Sequence, residues 1–266
     1  MLTSVLSAIV IVGALNAPDL TAVGTPAVQP SCSRLDPAVR SRFAPGSRVV
    51  ILLAAGDAVP DGMRDAYREM ALTVLDCVGE NSRAEIFPIT ESGIQTAAAF
   101  SGAIATPPPR NTNELWIVGQ RKRLAKEGSE AIDRMLDSQR HGETDILGTL
   151  FAAGESLHRP PEAPKSIVVV ISKGFPKGSY TFAKNPEKSA TDVVRRLRTE
   201  NRLPNLAGTD VFIVGVTKPA SSREMKFDTA NIRGLCVFWA ILIKEAGGTK
   251  VLGECPPTLP GLTPPL

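Results

Sequence analysis

Ser166 to Ser172 reads SIVVVIS, and its centre, Ile167 to Ile171, is five consecutive β-branched apolar residues. No position on either face of such a segment is polar. That suits a strand covered on both sides and does not suit the alternation of a half-exposed sheet. Working outward, two more stretches have the same character: Arg48 to Ala55 (RVVILLAA) upstream and Asp210 to Val216 (DVFIVGV) downstream. Helical patterns separate them. After the first strand, Pro60-Asp61 opens a helix with Asp61 as candidate cap, and Met63, Tyr67, Met70, Val74 and Val78 recur at helical spacing until Gly79. Thr144 to Leu157 reads as a helix closed by Pro160-Pro161. Ala190 to Asn201 is amphipathic, with Val193, Val194 and Leu197 inward and Arg195, Arg196 and Arg198 outward, a solvated charged face. Ile232 to Ala246 is an apolar helix ended by Gly247-Gly248, and Thr249 to Gly253 is a last short strand. Alternation of buried strands with helices predicts an α/β fold: a doubly wound, mostly parallel central sheet with helices on both faces.

The region between the first helix and Thr144 is harder to read. Ala84 to Ile89 (AEIFPI) is a weak strand that Pro88 demotes to an edge. Glu114 to Val118 (ELWIV) reads as a strand, and Arg121 to Arg140 as a charged helix with Leu124, Ile132 and Leu136 inward. Residues 90–112 show no period.

Composition bounds the function. The 266 residues are 43% apolar and 21% charged, ordinary globular usage that excludes wholesale disorder. A net charge of +3 is too balanced to argue for nucleic acid, and aromatics at 5% weaken base-stacking or sugar-binding readings. Two histidines, His141 and His158, leave little for His-rich metal sites or Ser-His-Asp catalysis. There is no G-x-S-x-G elbow, no Walker loop and no G-x-G-x-x-G after the first strand.

The N-terminus carries an apolar run of eleven residues, Val5 to Leu15, too short for a membrane span and of the length of an export signal core, though no Lys or Arg precedes it. The expected organisation is a candidate signal at 1–17, a flexible Pro/Ala-rich tether at 18–45, the α/β domain at 46–255, and a tail at 256–266 with five prolines. Cys32, Cys77, Cys236 and Cys255 contain no C-x-x-C pair. In an exported chain they allow two disulfides in three connectivities, and Cys77 and Cys236 also suit small buried hydrophobes.

Taken in order, these pieces resemble a von Willebrand factor type A domain over about residues 46–255. The resemblance rests on the first strand and helix (Val49 to Asp76), on His141-Gly142-Glu143-Thr144-Asp145-Ile146-Leu147-Gly148-Thr149-Leu150, on Ile167 to Gly174, and on the strand Asp210 to Val216 with the helix around Trp239. It implies a metal-ion-dependent adhesion site on three loops at the C-terminal ends of strands, with D-x-S-x-S in the first loop. This chain departs from that pattern. Ala54, Gly56 and Ala58 stand where the family has a carboxylate and two hydroxyls. Thr144 is kept, and Lys173 replaces the third loop's aspartate. Mg²⁺ needs hard oxygen ligands, and an ammonium at 4 Å adds repulsion on the order of 1–4 kcal/mol per unit charge. The resemblance therefore implies a degenerate site with no metal and no cofactor.

The expected function is a non-catalytic protein-binding module, secreted or envelope-associated, with an adhesion or scaffold role. Its site gathers Asp57, Thr144, Asp145, Lys173 and Phe175. Lys173 is either a built-in cation paired with Asp57 or Asp145, or a solvated loop lysine. Thr144-Asp145 also reads as a helix cap, and Phe175 as an interface anchor or a lid on the core. The expected partner is a protein, with no nucleic acid, and with membrane association only through the N-terminal segment if it is uncleaved. The alternatives are a structural subunit of an envelope assembly, marked by an apolar face including Phe238-Trp239, and a hydrolase with an unrecognised site.

Overall fold

The computed structural model describes residues 32–60, 62–106, 114–138, 145–160, 163–175, 185–216 and 229–262, without the side chains of Asp57 and Thr229. Its strands are β1 (Ser47–Ala54), β2 (Ser82–Ile89), β3 (Phe100–Ile104), β4 (Lys165–Ile171), β5 (Thr209–Val214) and β6 (Thr249–Lys250). Its helices are α1 (Pro37–Arg40), α2 (Arg64–Asp76), α3 (Glu114–Leu136), α4 (Ile146–Leu157), α5 (Pro186–Thr199) and α6 (Thr229–Glu245). The six strands form one sheet in the order β3-β2-β1-β4-β5-β6, parallel except for the edge strand β3. The doubly wound α/β fold expected from the buried strands is the fold observed.

All eight residues of β1 are buried. Alternate residues serve different layers because successive side chains point to opposite faces. Val49, Ile51 and Leu53 pack with Ile167, Val169, Phe212 and residues of α1, α2 and α3, whereas Val50 and Leu52 pack with Val168, Val170, Ile213 and residues of α4, α5 and α6. Burying one such side chain contributes about 1.5–3 kcal/mol, so this double coverage is the main source of stability.

Several expectations need correction. β2 is not an edge strand but lies between β1 and β3. Pro88 is tolerated because β3 pairs only with Ser82 to Ile86, leaving no acceptor opposite the missing N–H on that side. The stretch 90–112 contains the missed strand β3, short and antiparallel, with Ser101 and Ala103 exposed. Glu114 to Val118 is not a strand but the first turn and more of α3, which continues unbroken to Leu136. Ile117 falls in register with Leu124, Gly128, Ala131 and Met135 on one buried stripe. A Cβ at Gly128 would stand 2.4 Å from Leu75 Cδ1, so α2 and α3 approach as closely as they do because position 128 has no side chain.

Both ends of the domain extend further than expected. Residues 32–45, read as tether, carry α1 and bury Leu35, Val39 and Phe43. Residues 256–262, read as tail, bury Leu259 and Leu262. The two segments meet: Asp36 N donates to Pro260 O at 3.0 Å, and Gly261, at φ +98°, packs where a Cβ would lie 2.2 Å from Arg34 O. Of the three connectivities the structure has Cys32–Cys77 and Cys236–Cys255, with Cα separations of 5.1 and 5.7 Å. Each closes a loop whose chain-entropy contribution is about 3–4 kcal/mol. The arginines of α5 are engaged with carboxylates, Arg198 with Glu245 at 2.7 Å and Arg195 with Asp192 at 3.4 Å.

One buried charge organises the opposite end of the sheet. Arg48 opens the apolar run of β1 and is 3% exposed. Its Nη1 donates to the carbonyls of Ser156, Leu157 and Arg159 at 2.6, 3.0 and 2.8 Å, so it caps the C-terminus of α4. Ser156 Oγ in turn donates to the buried carboxylate of Glu85. Desolvation lowers the Arg48 pKa, and the Glu85 charge partly offsets this. Arg48→Met is expected to cost about 2–4 kcal/mol in urea unfolding, because it leaves three helix-end carbonyls without their donor, while Glu85 keeps Arg83 at 3.2 Å.

Candidate recognition edge

In an open parallel sheet, ligands are held beyond the C-terminal strand ends where the chain switches direction across the sheet. Here the switch lies between β1 and β4, adjacent strands whose connections run to opposite sides. β1 delivers Ala54 and Ala55, both buried, to that edge. β4 delivers Ser172, Lys173, Gly174 and Phe175.

The loop after β4 is tightly specified. Ser172 is buried, its N–H donates to Val214 O at 3.1 Å, and its Oγ accepts from Gly174 N at 2.9 Å. Gly174 adopts φ +78°, where a Cβ would approach Val216 Cγ2 to 3.0 Å. Its carbonyl accepts a 2.8 Å hydrogen bond from Trp239 Nε1 of α6. The loop after β5 is held from the other face. Tyr67 of α2 donates its hydroxyl to Gly215 O at 2.9 Å, and Gly215, at φ +86°, donates its N–H to Pro256 O at 3.0 Å. Each helical layer thus sends one buried aromatic donor through the core to a loop carbonyl at this edge. Neither residue was singled out by sequence as part of the site. The signal available was a polar-tipped aromatic at an inward helical position, which needs a partner when buried.

The candidate residues separate. Lys173 and Phe175 sit two apart on the loop after β4, both half-buried, and Phe175 packs against the core on the α6 side. Asp145 is the N-cap of α4: Oδ1 accepts from Gly148 N at 2.8 Å, and Oδ2 lies 3.9 Å from Arg202 Nη2. Its backbone N–H donates to Thr90 O at 2.8 Å, and a Cβ at Gly93 would come within 2.3 Å of its carbonyl oxygen. Asp145 therefore pins α4 beneath the 90–96 turn, and its ion pair is with Arg202 rather than Lys173. Thr144 and His141 lie outside the described residues, as do Asp61 and the Asp57 side chain; of the pair Thr144-Asp145 read as a helix cap, Asp145 is the N-cap. Phe238 and Trp239, proposed from sequence as an apolar outer face, are both fully buried and meet edge to face at 5.4 Å.

Among the described residues no three His, Cys, Asp or Glu side chains cluster as a metal site. His158 Nε2 lies 3.2 Å from Asn205 O, and all four cysteines are in disulfides. No helix among the described residues is long and apolar enough to cross a membrane.

No protein-family model matches the sequence, and no curated protein matches it. Solved structures similar to the chain include proximal thread matrix protein 1 of the mussel byssus, at 16% identity over 66% of this chain, TM-score 0.38. The same mussel protein with a zinc-occupied MIDAS motif matches at 15% identity and TM-score 0.35, also over 66% of this chain. This chain spans 37% of the length of either mussel structure. An aerotolerance-related membrane protein of Bacteroides fragilis matches at 14% identity over 77% of this chain and 92% of its own, TM-score 0.37.

Burial pushes the Tyr67 phenol pKa well above its ordinary value. The folded state then keeps a proton that the unfolded state releases near pH 10, so this group's contribution to stability is complete below about pH 10 and is lost as pH rises further. Tyr67→Phe is expected to cost about 1–2 kcal/mol at neutral pH and to flatten the fall in unfolding free energy above that point. Equal alkaline slopes for the two proteins in urea titrations would contradict the assignment.

Proposed function

We propose that this chain is a non-catalytic protein-recognition module that binds a protein partner at the C-terminal edge of its sheet without a metal ion. The observation that carries the reading is the way the edge is held. Trp239 and Tyr67 fix the loop carbonyls of Gly174 and Gly215 by buried hydrogen bonds, the task that a bound cation performs in the family the sequence resembles. Ala54, Ala55 and Gly56 bring no side-chain oxygen to the first loop, and Lys173 brings a positive charge to the third. A partner would meet a preformed surface, with Lys173 and the partly exposed ring of Phe175 as contacts. A rigid edge loses little conformational entropy on binding, and aromatic anchors carry much of the energy in such interfaces.

Two disulfides support export to an oxidising compartment, in keeping with the apolar run at Val5 to Leu15.

Affinity capture from the native host with the full, oxidised chain, run in parallel in Mg²⁺ and in EDTA, tests the reading. The partner is expected at equal yield in both, and Lys173→Glu or Phe175→Ala is expected to weaken its retention about tenfold or more, a loss of at least about 1.4 kcal/mol. Loss of the partner in EDTA would overturn the metal-free mechanism. Full retention by both variants would move the interface off this edge.

A further inference from the structure

The N-terminal half of α3 presents an exposed, partly apolar surface. Leu115, Val118, Lys122 and Lys126 follow the spacing i, i+3, i+7, i+11, which aligns them along one helix face. That face is turned to solvent. Leu115 is 73% and Val118 43% exposed, and Lys122, Arg123 and Lys126 are exposed below them. The large exposed apolar side chains among the described residues are Ile94, Leu115 and Val118, so two of the three share this stripe. Trp116 is half-buried beside it in the first turn. The opposite face, through Ile117, Leu124 and Gly128, is committed to the core.

From Leu115 to Lys126 every charged residue is a cation, with Glu114 and Glu127 flanking the stretch. Arg121, Lys122, Arg123 and Lys126 place four cations within six residues. The ion pairs that α3 and its C-terminal end make with α2 lie further along, Arg68 with Asp133 at 2.7 Å and Arg64 with Asp137. Among the described residues no carboxylate pairs with Lys122, Arg123 or Lys126. Protein interfaces are depleted in lysine, whereas an apolar tip with tryptophan followed by lysines is the composition that sits at a bilayer surface, its lysine stems lying along the apolar layer and its ammonium groups on phosphates.

The course of the chain agrees. The first described residue, Cys32, is joined to Cys77 at the C-cap of α2, and α2 packs against α3. The apolar run Val5 to Leu15 precedes Cys32 by sixteen residues, which can span at most about 55 Å. An anchor held in a bilayer would thus leave the domain on a leash emerging from the same helical layer as the patch.

We propose that the N-terminal half of α3 docks on an anionic phospholipid surface, with Leu115, Trp116 and Val118 among the headgroups and Lys122, Arg123 and Lys126 on the lipid phosphates. Each cation brought to such a surface strengthens partitioning about fivefold. Docking would turn the α2/α3 layer toward the bilayer and leave the sheet edge with Lys173 and Phe175 accessible from the side.

Tryptophan fluorescence of the full, oxidised chain reads this directly. The protein has two tryptophans, and Trp239 is fully buried, so quenching by lipids brominated in their acyl chains reports Trp116. Vesicles of phosphatidylcholine with added phosphatidylglycerol are expected to shift Trp116 emission to the blue and allow quenching, and phosphatidylcholine alone to do neither. In the exposed-site variant Lys122→Gln/Arg123→Gln/Lys126→Gln the lipid concentration for half-maximal quenching should rise about 100-fold. Protein that sediments with anionic vesicles while Trp116 stays unquenched would overturn the proposal, since the N-terminal segment alone would then account for binding. A blue shift that depends on protein concentration without lipid, and disappears in Leu115→Ser, would overturn it in favour of self-association.

Discussion

A strand with no exposed residue on either face cannot sit at the surface of a domain, and β1 is such a strand along its whole length. Two helical layers follow from that constraint, one built of α1, α2 and α3 and the other of α4, α5 and α6. With both faces occupied, loops leave the sheet only at its ends. The C-terminal edge receives the loops after β1, β4 and β5, and the N-terminal end receives Arg48, whose guanidinium closes the last turn of α4. Stability and the placing of the candidate site therefore have one origin, the apolar surface of the central strands.

At the C-terminal edge the two layers meet again through hydrogen bonds. Tyr67 belongs to one apolar cluster and Trp239 to the other, yet both end on glycine carbonyls of adjacent loops. A buried carbonyl without a donor is costly, so these contacts restrict the loops as well as stabilise them. Gly174 and Gly215 are required there twice over, by left-handed backbone angles and by side chains that crowd the space a Cβ would fill. The result is an edge whose shape is set by the core beneath it.

Termini that sequence would leave as tether and tail complete the first layer instead. Leu35, Val39, Leu259 and Leu262 join the same cluster as α2, and the bond from Asp36 to Pro260 joins the two segments. Gly215 also donates to Pro256, so the C-terminal segment braces the loop after β5. Cys32, the first described residue, is tied by its disulfide to Cys77 at the end of α2, in the layer that also carries α3.

The uninterrupted apolar runs determined the fold class, because Ile167 to Ile171 leaves no face for water, and the fully buried strands β1, β4 and β5 were legible for that reason. Helices with a clean apolar stripe, such as α2 and α5, were legible as well. Tertiary structure decided what local pattern left ambiguous. ELWIV has strand composition, but Ile117 is in phase with Leu124 and Gly128, and contact with α2 and β3 favours the helix. Pro88 reads as an edge signal, but a neighbour that stops at Ile86 lets it sit in an internal strand. At the candidate site, sequence placed Lys173 and Phe175 on one loop, since they are two residues apart. It could not show that Asp145 would turn to Gly148 and Arg202, or that Tyr67 and Trp239 would reach the loop carbonyls. Those partners lie between 3 and 148 residues away in the chain, and only the packed sheet and helices bring the distant ones within hydrogen-bonding distance.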